Sequence, residues 1–155
     1  MALIRPSDLV GHDSDFQGSF FALEIDGLKE VAWFTGCSGL GIDLETVKFK
    51  EGNGTMVVER KRAGKPTYKQ IELKRGLTTS TDLQDWFKDV AVPTAATPYK
   101  KGAIMVYDRK KELGATFSLT NCWPSKLAVS DLSAGSDSVM VESLTIEHES
   151  IMWEK

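Results

Sequence analysis

Few residues in this chain have the means to do covalent or metal chemistry. Cys37 and Ser38 sit in "FTGCSGLGIDLE", a strand-like stretch interrupted by Gly36, Gly39 and Gly41. His12 sits in "GHDSD", His148 in "EHE", and Cys122 is the second thiol. A nucleophile elbow needs glycine two residues to either side of its serine, and Ser38 has Gly36 before it but Leu40 after it. A dinucleotide fingerprint needs GxGxxG between a strand and a helix; here Leu44 stands where the third glycine belongs, and more strand follows. The glycines therefore read as a bend or bulge in a strand pair. His148 lies between Glu147 and Glu149, but alternation along a strand turns both carboxylates away from the ring, so the three cannot converge on one metal ion. Two cysteines far apart, with no CxxC or zinc-ligand spacing, point to reduced thiols. No catalytic, metal or cofactor-binding residue is expected, and no cofactor.

The elements that would position such residues are mostly strands. At 155 residues the chain has the size of one domain with a core of its own. Its 19 basic against 22 acidic residues leave a net charge of −3, which lacks the concentrated basic surface that phosphate backbones demand. No apolar run is long enough to cross a bilayer. The opening residues lack an apolar stretch behind a basic flank, so Sec-type export is not expected.

Residues 1–18 read as an N-terminal arm. "SFFALEIDGL" is a strand closed by the turn signal Asp26-Gly27, and "EVAWFTGCSG" its hairpin partner. "IDLETVKFKEG" alternates with period two and mixes apolar and charged residues on both sides, predicting a strand partly buried on each face. Residues 51–65 read as a loop, holding glycines, a proline and the basic cluster Arg60-Lys61-Arg62. "YKQIELKRG" is again a strand, with Ile71, Leu73 and Arg75 on one side.

One helix is predicted, in "STDLQDWFKDV". Thr81 and Gln84 have the spacing of a capping box, and Leu83, Trp86, Phe87 and Val90 form one apolar stripe; Pro93 marks the end. Strands follow to the C-terminus, with a turn at residues 110–114 and a break at Pro124. The last stretch places Met140, Glu142, Leu144, Ile146 and His148 on one face. About eight short strands and one helix predict a mainly β fold, a small barrel or sandwich with a flanking α-helix, in a single domain spanning 1–155. Two strand faces are small and polar: Thr116, Ser118 and Thr120 in one, and Ser143, Thr145, Glu147 and Glu149 in the other. In subunits set side by side such faces line a wetted channel, and pairing across subunits protects strand edges.

Several segments resemble the inner-tube proteins of contractile phage tails and contractile injection systems, to which the type VI secretion tube protein is a more distant relative. They are "SGLGIDLETVKFKEG" (residues 38–52), "IELKRGLTTSTDLQDW" (71–86), "FSLTNCWPSK" (117–126) and "VESLTIEHE" (141–149). The chain departs from the pattern at Cys122, where alanine is common, and at Ser150, where glycine is frequent.

The resemblance implies a structural protein and no enzyme; the alternatives are a type VI secretion-like ring that carries effectors and a small monomeric β-barrel ligand-binding or enzymatic domain. Six-membered rings stack into a hollow tube inside a sheath, contraction drives the tube through a target envelope, and the lumen passes DNA or protein effectors. Implied partners are further copies of the chain, the sheath protein, baseplate and spike proteins, tube-terminating proteins and the cargo, with no membrane insertion by this chain. On this reading the chain is made without a signal peptide and leaves the cell only as part of a particle.

The 51–65 segment is then expected to project to the next ring. Glu51, Asn53, Glu59, Arg60, Lys61, Arg62 and Lys65 would meet the arm aspartates Asp8, Asp13 and Asp15 there. Leu83, Trp86, Phe87, Trp123, Pro124 and Leu144 hold the fold or the seam between neighbours, and the two polar strand faces are the candidate lumen surface.

Overall fold

A computed structural model describes residues 20–28, 31–52, 54–92, 99–131, 133–135 and 137–154. Period-two alternation builds most of it. In β6 (Ile71–Gly76) Ile71, Leu73 and Arg75 turn inward, with Lys74 exposed between them. In β9 (Val141–Glu147) Glu142, Leu144 and Ile146 do the same. The two strands pair antiparallel in the register Leu73↔Leu144 and Arg75↔Glu142, so the inward rows meet and bury each other.

The remaining strands are β1 (Phe20–Ile25), β2 (Ala32–Phe34), β3 (Gly36–Ser38), β4 (Ile42–Gly52), β5 (Val57–Tyr68), β7 (Lys100–Tyr107), β8 (Leu113–Val129) and β10 (Ser150–Glu154); the helix α1 spans Asp82–Ala91. Eight strands form one antiparallel sheet ordered β2-β1-β7-β8-β9-β6-β3, with β10 also on β8. The 17-residue β8 is common to two layers. Its first part pairs with β7 and β10, and its second part, from Trp123, pairs with β9.

The result is sandwich-like rather than a closed barrel. The path ends at β2 and β3, which are separated only by Thr35 and so cannot pair with each other. Thr35 is instead tied to the second layer, its N–H donating to the Lys74 carbonyl at 2.8 Å.

Between the layers lie Leu23, Ile25, Phe34, Ile71, Leu73, Ile104, Leu119, Leu144 and Ile146, all almost fully buried, and α1 adds Leu83 and Trp86. Burying each large apolar side chain contributes on the order of 2 kcal/mol, which accounts for the insertion of the helix stripe.

Two local expectations are corrected. Thr81 is the N-cap residue but makes no side-chain cap hydrogen bond; its hydroxyl lies 3.5 Å from Asp85 Oδ2. With φ −100° and ψ 2° its backbone lies outside the extended region in which a capping hydroxyl reaches the first-turn N–H groups. Pro124 does not break the chain into two strands either: β8 runs through it. The register shifts between Pro124 and Lys126, and that irregularity accommodates a residue with no N–H to give the ladder.

Candidate assembly interface

Of residues 51–65, expected as a loop, 51–52 and 57–65 instead belong to a two-stranded sheet of β4 and β5. Neither strand is packed on the body in the way the alternation suggests: every residue of β4 is exposed, on both faces. At about 3.3 Å per residue, 11 residues extend roughly 36 Å.

Cross-strand partners share a face. One face carries Ile42 with Tyr68, Leu44 with Pro66, Lys48 with Lys61 and Lys50 with Glu59. The other carries Asp43 with Thr67, Val47 with Arg62, Phe49 with Arg60 and Glu51 with Val58. The like-charged Lys48 and Lys61 are relieved by Glu59, whose Oε1 lies 3.6 Å from Lys48 Nζ. On the second face Arg60 Nε lies 2.5 Å from Glu51 Oε2, and the Arg62 guanidinium sits 5.7 Å from the Phe49 ring centroid. Such exposed pairs contribute about 0–1 kcal/mol each, so they set register more than stability.

The root of this arm uses the glycines that frustrate both catalytic templates. Gly39 has φ +86°, and a Cβ there would lie 1.9 Å from the Gln70 carbonyl oxygen. Only glycine lets the outgoing chain pass so close to the returning one. Lys69 N–H donates to the Gly41 carbonyl at 3.4 Å, and His148 closes the root from the body. Its Nε2 donates to the Lys69 carbonyl at 2.9 Å while Tyr68 meets the ring edge-on.

The expected stacking residues Glu51, Glu59, Arg60, Lys61, Arg62 and Lys65 all lie exposed on this arm. Asp8, Asp13, Asp15 and Asn53 lie outside the described residues. Of the expected seam residues, Leu83, Trp86, Pro124 and Leu144 are buried within the chain and serve its fold. Phe87 and Trp123 are half-buried, and Trp123 lies 6.5 Å from Tyr99.

The candidate lumen residues fall on the outward side of both layers. Thr116, Ser118 and Thr120 lie opposite Glu154, Met152 and Ser150. Ser143 and Thr145 lie beside Lys74 and Glu72, and Glu147 beside Trp123. β8 carries this surface across from one layer to the other. Ser118 donates to Glu154 at 2.6 Å, and the Asn121 amide donates to Glu149 at 2.7 Å.

The sequence reading missed the exposed apolar residues of the arm, Leu44, Val47, Phe49, Met56 and Val57, and Trp153, which is 75% exposed beside Phe117. The signal for the first group was the mixed character of both β4 faces, which burial on one side cannot produce.

Burial raises the thiols of Cys37 and Cys122 from 9.0 to about 11, so neither is a reactive thiolate at neutral pH. Among the described residues no group of three or more His, Cys, Asp or Glu is placed to hold a metal ion, and no helix is long and apolar enough to cross a membrane.

The family described as T4-like virus tail tube protein gp19 matches residues 18–152. The chain belongs to this tail tube family. Family membership makes it a structural tube protein and not an enzyme. No curated protein matches in sequence. Among solved structures, the fold is similar to a chain of the sheath–tube complex of an extracellular contractile injection system, PVC, in its extended state. The TM-score is 0.75 at 21% identity, over 98% of this chain and 99% of that one. A chain of the anti-feeding prophage tube-terminating cap gives 0.72 at 20% identity, over 99% and 94%. Hcp1 from Salmonella typhimurium gives 0.54 at 10% identity, over 87% and 85%. At these identities the likeness is one of fold, and the tail tube fold is the one that the eight-stranded sheet and α1 build.

Proposed function

We propose that this chain is the subunit of the inner tube of a contractile injection system or contractile phage tail. It assembles as six-membered rings stacked into a rigid hollow tube within a sheath. The observation that carries the proposal is the arm. A two-stranded sheet standing alone is marginal in water, and this one leaves apolar residues exposed on both faces, an arrangement completed by burial against another copy.

Charge supports the same reading. Residues 42–68 hold six basic and four acidic residues, net +2, which leaves −5 for the rest of the chain's −3. A basic arm on an acidic body is complementary to its own copies, and Arg60, Lys61, Arg62 and Lys65 reach the neighbouring ring, with Glu51 and Glu59 fixing their register. The aspartates of residues 1–18, Asp8, Asp13 and Asp15, are the proposed counterpart of this basic β4–β5 arm. The outward polar surface of Thr116, Ser118, Thr120, Ser143, Thr145, Glu147 and Glu149 lines the lumen, through which DNA or effector protein passes once the sheath contracts. Sheath, baseplate and terminating proteins complete the particle.

Electron microscopy of the purified chain tests this. Wild type forms stacked rings or tubes at high concentration, and Arg60→Glu with Arg62→Glu does not, while its thermal midpoint stays within a few degrees of wild type. A chain that remains a monomer of 17.1 kDa at every concentration overturns the proposal.

A further inference from the structure

The β4–β5 arm is a cantilever. Its strands pair only with each other, and β4 is exposed throughout, as is β5 apart from Gly64 and Tyr68. At the root Leu40 and Tyr68 pack against the core. Apolar contact is non-directional, so it holds the arm without aiming it. A rotation of about 10° at the root carries an end roughly 36 Å away through about 6 Å. That exceeds the separation of about 4 Å within which an ion pair counts as one, so charges on the arm meet fixed partners only if its direction is set.

His148 makes a directional contact there. The last pair of β6 with β9 is Ile71↔Ile146, and the same register carried two residues on sets His148 opposite Lys69, the first residue beyond β5. The main-chain ladder has stopped, and the imidazole takes its place, with Nε2 2.9 Å from the Lys69 carbonyl. A carbonyl oxygen only accepts, so Nε2 carries the proton. Nδ1 is buried with no hydrogen-bond partner, so the ring holds the root through Nε2. The Lys69 ammonium, 3.2 Å from Asp43, ties the two sides of the root to each other and not to the body.

The ring is mounted on a fixed corner. On one side of it Glu147 pairs with Trp123, and on the other Ser150 pairs with Thr120. Glu149 N–H also donates to the Thr120 carbonyl at 3.0 Å. The chain thus passes from the second layer to the first laced to β8 before and after His148.

We propose that His148 is a positioning residue: its Nε2–H couples the β9–β10 corner to the arm and sets the direction in which the arm meets a neighbouring copy. The effect on assembly rests on the tube reading above, and the direction of the arm rests on the single chain.

Spin labels at Val58→Cys and Lys126→Cys, one on the arm and one on the body, measure that direction in the full-length, unassembled chain. The native thiols, at about 11, react slowly at neutral pH. Wild type should give one narrow distance distribution. His148→Leu, which lacks a donor, should broaden it by about 6 Å, the sweep of the rotation given above. His148→Gln returns an N–H to the place of Nε2 and should restore the narrow distribution. Without labels, the concentration at which tubes form should rise at least about fivefold in His148→Leu, the loss of one hydrogen bond per subunit. In His148→Gln it should return to near the wild-type value, while the unfolding midpoints of the unassembled chains stay within a few degrees. If His148→Leu does not fold, His148→Asn, whose amide is too short to reach the carbonyl, takes its place. An unchanged narrow distribution in the donor-less variant, or a distribution in His148→Gln as broad as in that variant, overturns the proposal. If the distances behave as stated but wild type forms no tubes, the tube reading falls and the role of His148 in aiming the arm is upheld.

Discussion

Arg75 and Glu142 face each other across β6 and β9 in rows that are otherwise apolar. Burying two charges costs nearly what their attraction returns, whereas leaving one alone is severe. Arg75→Met or Glu142→Leu alone should therefore cost about 3–5 kcal/mol in urea denaturation, and the double variant should recover most of that loss. The pairing was half legible: the alternation puts both residues on apolar faces, but no single-strand pattern gives the register that brings them together.

Trp86 makes a contrasting case, because its buried Nε1 has no hydrogen-bond partner. Trp86→Ala should cost about 3–5 kcal/mol, and Trp86→Phe clearly less, since it removes an unsatisfied donor along with the lost volume. The thiols give a pH dependence. Their folded value of about 11 lies above the ordinary 9.0, so the stability they contribute is full below pH 9 and is lost as pH rises from 9 to 11, where the unfolded chain releases its protons first. Alkylation by iodoacetamide at pH 8 should be slow at Cys37 and Cys122 until the chain is unfolded.

At the scale of elements, the strands and the helix were legible because period-two and i, i+3, i+4 patterns are local. The arm was not, because Gly52, Gly64 and Pro66 carry loop signals, and what makes strands of them is the pairing of β4 with β5. The break foreseen at Pro124 failed for the same reason: a tertiary ladder with a register shift outweighs a local propensity. Gly39 is where the arm is most exposed to a small change. Gly39→Ala should cost at least about 2 kcal/mol in thermal or urea unfolding, since it combines a left-handed backbone with an overlap onto Gln70's carbonyl. Cys37→Ala with Ser38→Ala, the two residues just before Gly39, should leave tube assembly intact by electron microscopy.

For the whole molecule, charge is distributed by element, with a basic arm and an acidic remainder. Attraction between exposed charges is screened over about 8 Å at physiological ionic strength. Sedimentation should therefore show the concentration needed for assembly rising several-fold between about 50 mM and 500 mM salt, and little change in the unfolding midpoint of the unassembled chain. None of this separation is visible in the net charge of −3; it emerges only when the arm is recognised as a unit.

The continuity of β8 has a mechanical consequence. A strand of 17 residues laced to neighbours in both layers ties them together as a keel does two halves of a hull. Sliding one layer over the other would load a whole row of hydrogen bonds in shear at once, instead of opening them one after another. Pulled between Phe20 and Val129 in a single-molecule experiment, the body should yield in one abrupt event, with no intermediate in which a single layer survives.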